Sequence, residues 1–177
     1  MEIRTYRDGD GDRLRTFWLT CGIKIRPGDD DASLAVFAAR NPDLMLLAEE
    51  NGHLVGSALG GWDGRRGWIY HVAVHRDERR RGIGGRLVAE LERRLRDIGC
   101  PKVNLIVWDD NTYAMRFWEA LGYRLEKTVR FPSVTRTVYV PRVWPCTRSS
   151  RTPGMISTSS SMSSSFPGAS SGAKSSG

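Results

Sequence analysis

The sequence predicts a mixed α/β (α+β) domain, with a mostly antiparallel central sheet flanked by helices and a disordered C-terminal tail. Three observations lead there. Two hairpin signals, Asn51-Gly52 and Asp63-Gly64, link strand-like runs into an antiparallel meander of three strands. A long run over 82–98 then carries apolar residues at helical spacing. From about Ser149 onward the chain is dominated by Ser with Gly, Thr and Pro and has almost nothing apolar to bury. Residues 1–140 are therefore expected to form the folded domain and residues 141–177 the Ser-rich tail.

Each element follows from its local pattern. Residues 2–6 alternate and read as a first strand. From Asp12 a helix turns Leu14, Phe17, Trp18 and Cys21 to one side and stops at Gly22. A second short helix starts at Asp31, with Leu34, Phe37 and Ala38 inward. Residues 44–49 and 54–60 read as strands joined around Asn51-Gly52, and Asp63-Gly64 leads into a third over 68–74. The longest helix buries Ile83, Leu87, Val88, Leu91, Leu95 and Ile98, and Gly99 is its left-handed stop. Residues 102–108 form the next strand. A helix over 111–121 turns Ala114, Phe117, Trp118 and Leu121 inward and ends at Gly122, and residues 123–131 and 135–140 complete the sheet.

Composition narrows the function classes. The 177 residues suffice for one domain with a core. Residues 1–8 carry charges of both signs and lack the apolar stretch of a signal peptide. The longest apolar run, 44–48, is far too short to cross a bilayer, so no membrane partner is expected. Cys21, Cys100 and Cys146 have neither metal-ligand nor disulfide-framework spacing, which points to a cytoplasmic protein without a resident metal. The net charge of +7 suggests nucleic acid, but its distribution argues otherwise. All 20 acidic residues precede Pro132, whereas Arg136, Arg142, Arg148, Arg151 and Lys174 follow it. The excess is thus largely a property of the C-terminal end, and no nucleic-acid partner is expected. Monomer and homodimer remain equally open.

The most informative stretch joins the strand 68–74 to the long helix. A helix start leaves backbone N–H groups unpaired and carries partial positive charge, which makes it an anion site suited to a pyrophosphate. Gly82, Gly84 and Gly85 offer close approach, and Arg79, Arg80 and Arg81 add charge. A P-loop would need Gly-Lys-Ser/Thr, whereas Gly84 is followed by Gly85-Arg86; a dinucleotide fingerprint would need glycine at Leu87. A solvated arginine run beside an ordinary helix cap is the bland alternative.

At this point the sequence resembles the GNAT superfamily of N-acetyltransferases. The stretch 72–84, ending Arg79-Arg80-Arg81-Gly82-Ile83-Gly84, is similar to that family's strand followed by Arg/Gln-x-x-Gly-x-Gly/Ala. The stretch 111–123 is similar to its second signature, Asn-x-x-Ala-x-x-Phe-Tyr-x-x-x-Gly-Phe. The resemblance covers about residues 1–131. Within it, 61–71 and Gly99-Cys100-Pro101-Lys102 look like the small bacterial YpeA-type acetyltransferases, relatives of the ribosomal-protein N-terminal acetyltransferases.

The resemblance implies acetyl-CoA as acetyl donor and an amine acceptor: a protein N-terminus, a lysine or a small molecule. Backbone groups of Val72 and Val74, with Ala73 between them, would pair with the pantetheine arm. N–H groups from Arg79 through Arg80, Arg81, Gly82 and Ile83 to Gly84, with Gly85, would hold the pyrophosphate. Asn111 would touch the arm near the sulfur. Trp118, counted with these cofactor contacts, stands where many members have a tyrosine that protonates the leaving thiolate, and Ile106 aligns with a glutamate of the N-terminal acetyltransferases, so neither usual acid-base group is present. Tyr70, His71 and Tyr113 are the candidate catalytic substitutes, with Tyr70 and His71 expected on opposite faces of their strand. Asp109 and Asp110 are further candidates to orient an amine, though capping is their commoner use. The alternative to an enzyme is a non-catalytic acyl-CoA-binding module, motivated by the lost tyrosine.

Overall fold

The elements run β1 (Glu2–Thr5), α1 (Gly11–Thr20), α2 (Asp31–Arg40), β2 (Met45–Glu50), β3 (His53–Trp62), β4 (Gly67–Val74), a 3-10 turn (Arg76–Glu78), α3 (Ile83–Asp97), β5 (Val103–Trp108), α4 (Thr112–Ala120), β6 (Arg124–Phe131) and β7 (Val134–Val140). This computed structural model describes the backbone of residues 1–108, 110–131 and 134–140, and side chains through residue 125 apart from 109. The proposed tail, Cys146 and Asp109 lie outside the described residues. The strands form one sheet in the order β1-β2-β3-β4-β5-β7-β6. Every pairing is antiparallel except β4 with β5.

The sheet is covered on both faces. One core layer joins Leu44, Leu46, Ala48, Ala58 and Ile69 to Ile83, Leu87, Val88, Leu91 and Leu95 of α3 and to Trp118 of α4. The other joins Met45, Leu47, Leu59 and Ala73 to Leu14, Phe17 and Trp18 of α1 and Leu34 of α2. Because β3 is buried on both faces, it has small residues where α3 crosses it. A Cβ on Gly56 would come within 2.8 Å of Leu87, and one on Gly60 within 2.6 Å of Leu91.

Local chemistry explains the turns. Asn51 and Gly52 both have positive φ, 51° and 78°, as a two-residue hairpin between β2 and β3 requires. The Asp63-Gly64 signal yields a longer loop. Asp63 accepts the backbone N–H groups of Arg65 and Arg66 at 2.7 and 2.6 Å, so its carboxylate organises the turn that a dipeptide alone was expected to make. Two residues expected inward are instead solvent-facing: Ile98 is 44% exposed and Leu121 40%. Each is the C-cap of its helix, where the chain leaves the helical track and helical spacing no longer assigns a face.

Candidate active site

The parallel pair of β4 and β5 is short. It holds Gly67 opposite Val103 and Trp68 opposite Asn104, and pairing stops there. The remainder of β4, from Ile69 to Val74, diverges from β5. The V between them is bounded by an unpaired strand edge, the kind of edge that pairs with an extended amide-bearing ligand. Val72, Ala73 and Val74 lie on it. The Val74 carbonyl also accepts the Arg79 Nε–H at 3.4 Å, which ties the arginine run to the strand end.

At the open end of the V stands the start of α3. The first hydrogen-bonded amide of this helix is that of Arg86, which donates to the Gly82 carbonyl at 3.0 Å. The amides of Arg80, Arg81, Gly82, Ile83, Gly84 and Gly85 have no protein acceptor among the described residues. Six consecutive unpaired N–H groups at a helix N-terminus form an anion cradle. The glycines have separate jobs there. Gly82 caps the helix at φ 79°, a left-handed conformation, with open space around a would-be Cβ. Gly84 faces inward, where a Cβ would sit 3.1 Å from Phe117 and 3.4 Å from Val74. Its smallness therefore serves packing between α3, α4 and β4, in contrast to the expected ligand clearance. Gly85 is less constrained, with Leu121 at 3.7 Å.

The arginines also divide. Arg81 is ion-paired with Glu50 at 2.8 Å and with Glu78, so its guanidinium is committed to carboxylates and its amide is what faces the cradle. Arg79 lies over the Tyr113 ring, 5.3 Å from its centroid. Arg80 is exposed, adopts φ 65°, and has no side-chain partner among the described residues.

In the middle of the V, β4 carries a bulge. Ser57 pairs with Ala73 but Leu59 pairs with Tyr70, so His71 and Val72 together oppose Ala58. His71 has φ 46°. A buried chain of hydrogen bonds holds this strained residue: Trp18 Nε1–H donates to Ser57 Oγ at 3.0 Å, and Ser57 Oγ–H donates to the His71 carbonyl at 3.1 Å.

Comparison with known proteins places this architecture. The acetyltransferase (GNAT) family model matches residues 12–123. An acetyltransferase of Sodalis glossinidius is 41% identical over 130 residues, covering 73% of this chain and 91% of the relative. One of Pectobacterium atrosepticum is 42% identical over 124 residues, covering 70% and 87%. The chain belongs to the GNAT family. Its enzyme class, N-acetyltransferase, follows from that membership. Among solved structures, PaiA N-acetyltransferase from Thermoplasma acidophilum in complex with coenzyme A shares the fold at TM-score 0.65 and 19% identity, over 77% of this chain and 96% of that one.

The residues expected to serve a GNAT reaction are distributed as follows. Tyr70 and His71 share a face, contrary to the expected alternation, because the bulge inserts one residue between normal strand positions. Tyr70 meets the Phe37 ring of α2 edge-on at 6.1 Å, and the His71 imidazole tilts against Trp18 of α1 at 4.4 Å. Both therefore look toward the α1/α2 side. Burial raises the Tyr70 phenol pKa, with the Asp63 charge adding to it, and so keeps the phenol protonated. Burial lowers the His71 pKa against the opposing pull of Asp29, which keeps the imidazole neutral. Tyr113 is 59% exposed at the start of α4, beside Arg79 at the cradle end. Asn111 is the α4 N-cap, its Oδ1 accepting Ala114 N–H at 3.0 Å. Trp118 is buried in the α3-side core, ring to ring with Tyr123 at 4.8 Å.

Two residues at the bulge escaped the sequence reading. Ser57 is a polar residue inside a strand buried on both faces, which was the available signal. Asp29 stands in the run Asp29-Asp30-Asp31, where Asp30 is the true α2 cap, accepting Ser33 N–H at 3.0 Å. Capping concealed its neighbour. No group of three metal-ligating side chains occurs among the described residues.

Proposed function

We propose that this GNAT enzyme transfers the acetyl group of acetyl-CoA to a primary amine by direct attack in a ternary complex. The observation that carries the reading is the run of six unpaired amides, Arg80 to Gly85, opening onto the unpaired edge of β4. A pyrophosphate on those amides would let the pantetheine arm extend along Val72–Val74 and bring the thioester to the bulge. Arg80 would add charge beside the phosphates, and Arg79 with Tyr113 would border them. Asn111, at the head of α4, would flank the arm near its sulfur end. The amine would enter from the α1/α2 side, where Tyr70 and His71 look out.

Direct attack needs a neutral amine, a donor for the carbonyl oxygen and a proton for the departing thiolate. A bulge leaves main-chain groups out of the ladder, and the Val72 amide is the donor assigned here. Tyr70, whose phenol stays protonated, is assigned to the thiolate. The full domain is assigned to residues 1–140, and a cytoplasmic setting fits cysteines without a disulfide framework. The test is release of CoA thiol from acetyl-CoA across a panel of peptide N-termini, lysine peptides and small amines, with acetyl-CoA affinity measured by calorimetry. Turnover of one class supports the reading. Tight binding without turnover of any amine would instead favour the acyl-CoA-binding module.

A further inference from the structure

Three polar side chains are buried among the described residues: Asp29, Ser57 and Asn104. Two of them converge on His71. Ser57 holds its carbonyl, and Asp29 Oδ1 lies 3.5 Å from its Nε2. Asp29 belongs to the loop between α1 and α2 and is only 7% exposed. Its Oδ2 accepts the Arg26 amide at 2.9 Å, which sets the carboxylate's direction. The same loop reaches across the V, since the Arg26 guanidinium lies 5.7 Å over the Trp108 ring at the end of β5. Helix capping does not account for Asp29, because Asp30 caps α2. Burying a carboxylate costs several kcal/mol unless it finds partners, on the order given for buried charges. The side-chain partner this one has is the imidazole.

We propose that Asp29 is the positioning residue for acetyl transfer, holding Nε2 of His71 so that Nδ1 takes the proton of the attacking amine. This rests on the acetyltransferase function proposed above. A carboxylate facing Nε2 selects the Nε2–H tautomer and leaves the lone pair on Nδ1, which has no hydrogen-bond partner among the described residues. Catalytic hydrogen bonds are often long before substrate binds, and the 3.5 Å separation leaves this one to close in the complex. Among the described residues the partners of the ring are Trp18 from α1, which it packs against, and Asp29, the charged side chain that acts on it. Burial keeps the imidazole unprotonated near neutrality, as a base must be.

In the step, the amine nitrogen bonds to the thioester carbonyl carbon and the C–S bond breaks with its electron pair going to sulfur. The displaced N–H proton passes to His71 Nδ1, the thiolate takes the Tyr70 phenol proton, and the proton on His71 returns to the Tyr70 phenolate directly or through water. Amide and free thiol leave, and the imidazole is neutral again.

The test uses the full chain, an amine it accepts, and the pH profile of kcat between about pH 4.5 and 8. His71 is titrated by NMR, which is tractable because the chain has 3 histidines. Asp29→Asn is expected to lower kcat at least tenfold while acetyl-CoA affinity by calorimetry stays within about twofold. Since the Asp29 charge raises the His71 pKa, its removal should move the acid limb and the NMR titration to lower pH together. A purely structural role would lower kcat and shift the NMR titration but leave the acid limb of kcat in place. His71→Gln should lower kcat about 100-fold and abolish the acid limb. Full activity in either variant overturns the proposal and leaves the acetyltransferase reading standing, as does an acid limb that stays put in Asp29→Asn. If Asp29→Asn does not fold, an acid limb retained in His71→Gln overturns it. An unaltered enzyme that binds acetyl-CoA but turns over no amine overturns both readings.

Discussion

Replacing Ser57 with Ala removes one hydroxyl and should loosen the centre of the V. Ser57 is fully buried, accepts from Trp18 Nε1 at 3.0 Å and donates to the His71 carbonyl at 3.1 Å. After Ser57→Ala the indole N–H of Trp18, itself on a fully buried side chain, has no acceptor. A buried donor left unpaired costs about 1–3 kcal/mol, and the lost bond to the carbonyl about 1 kcal/mol. Sparing the burial of a hydroxyl offsets part of this, so the expected net loss is about 2–3 kcal/mol. Urea unfolding followed by far-ultraviolet circular dichroism measures it as a shifted midpoint at constant m-value. A cycle with Trp18→Phe isolates the chain of bonds. Once the indole N–H is gone, Ser57→Ala should cost about 1–2 kcal/mol less than it does in the unaltered protein. A loss below about 1 kcal/mol, or strictly additive losses, would refute the claim that this chain holds the bulge.

Other expectations follow from the same geometry. Gly82→Ala should cost about 1–2 kcal/mol through its left-handed φ and weaken acetyl-CoA binding, whereas Gly84→Val should destabilise by about 1–3 kcal/mol by colliding with Phe117; calorimetry and urea unfolding separate the two effects. Arg80→Ala should weaken acetyl-CoA binding about fivefold and Arg81→Ala less than about twofold, since the Arg81 guanidinium is already paired with Glu50 and Glu78; equal losses in a binding titration would contradict this division. His71 has a folded pKa below its unfolded value near ~6.5, so the unfolded chain binds more protons under that pH. Its contribution to stability is therefore complete above about pH 6.5 and declines as pH falls toward the folded pKa. His71→Gln should flatten that part of the unfolding free energy against pH, and an unchanged slope would count against the buried neutral imidazole. The chain ended after Val140 should retain acetyl-CoA affinity and thiol release, and a loss of either would make residues 141–177 part of the enzyme.

Much of the fold was legible because local chemistry decided it. Asn51-Gly52 could only turn tightly between two apolar strands, and the stripe from Ile83 to Leu95 could only be one face of a helix. The cradle was legible for the same reason, since a helix start and its unpaired amides are local. The misassignments share a different origin. Ile98 and Leu121 kept helical spacing past the point where the helix ends. Period-two alternation puts Tyr70 and His71 on opposite faces because it assumes an unbroken ladder, and a bulge shows only once β3 is laid against β4.

By itself the sequence determined the order of elements, the family signatures and the anion-binding turn, because each depends on residues a few positions apart. Tertiary structure alone decided how far β4 parts from β5, which arginine is already paired, and that Gly84 serves packing. It also decided that Asp29, Ser57 and Trp18, from three separate elements, meet at His71. Those outcomes depend on burial and on contacts between residues up to 42 positions apart, where periodicity and motif spacing carry little information.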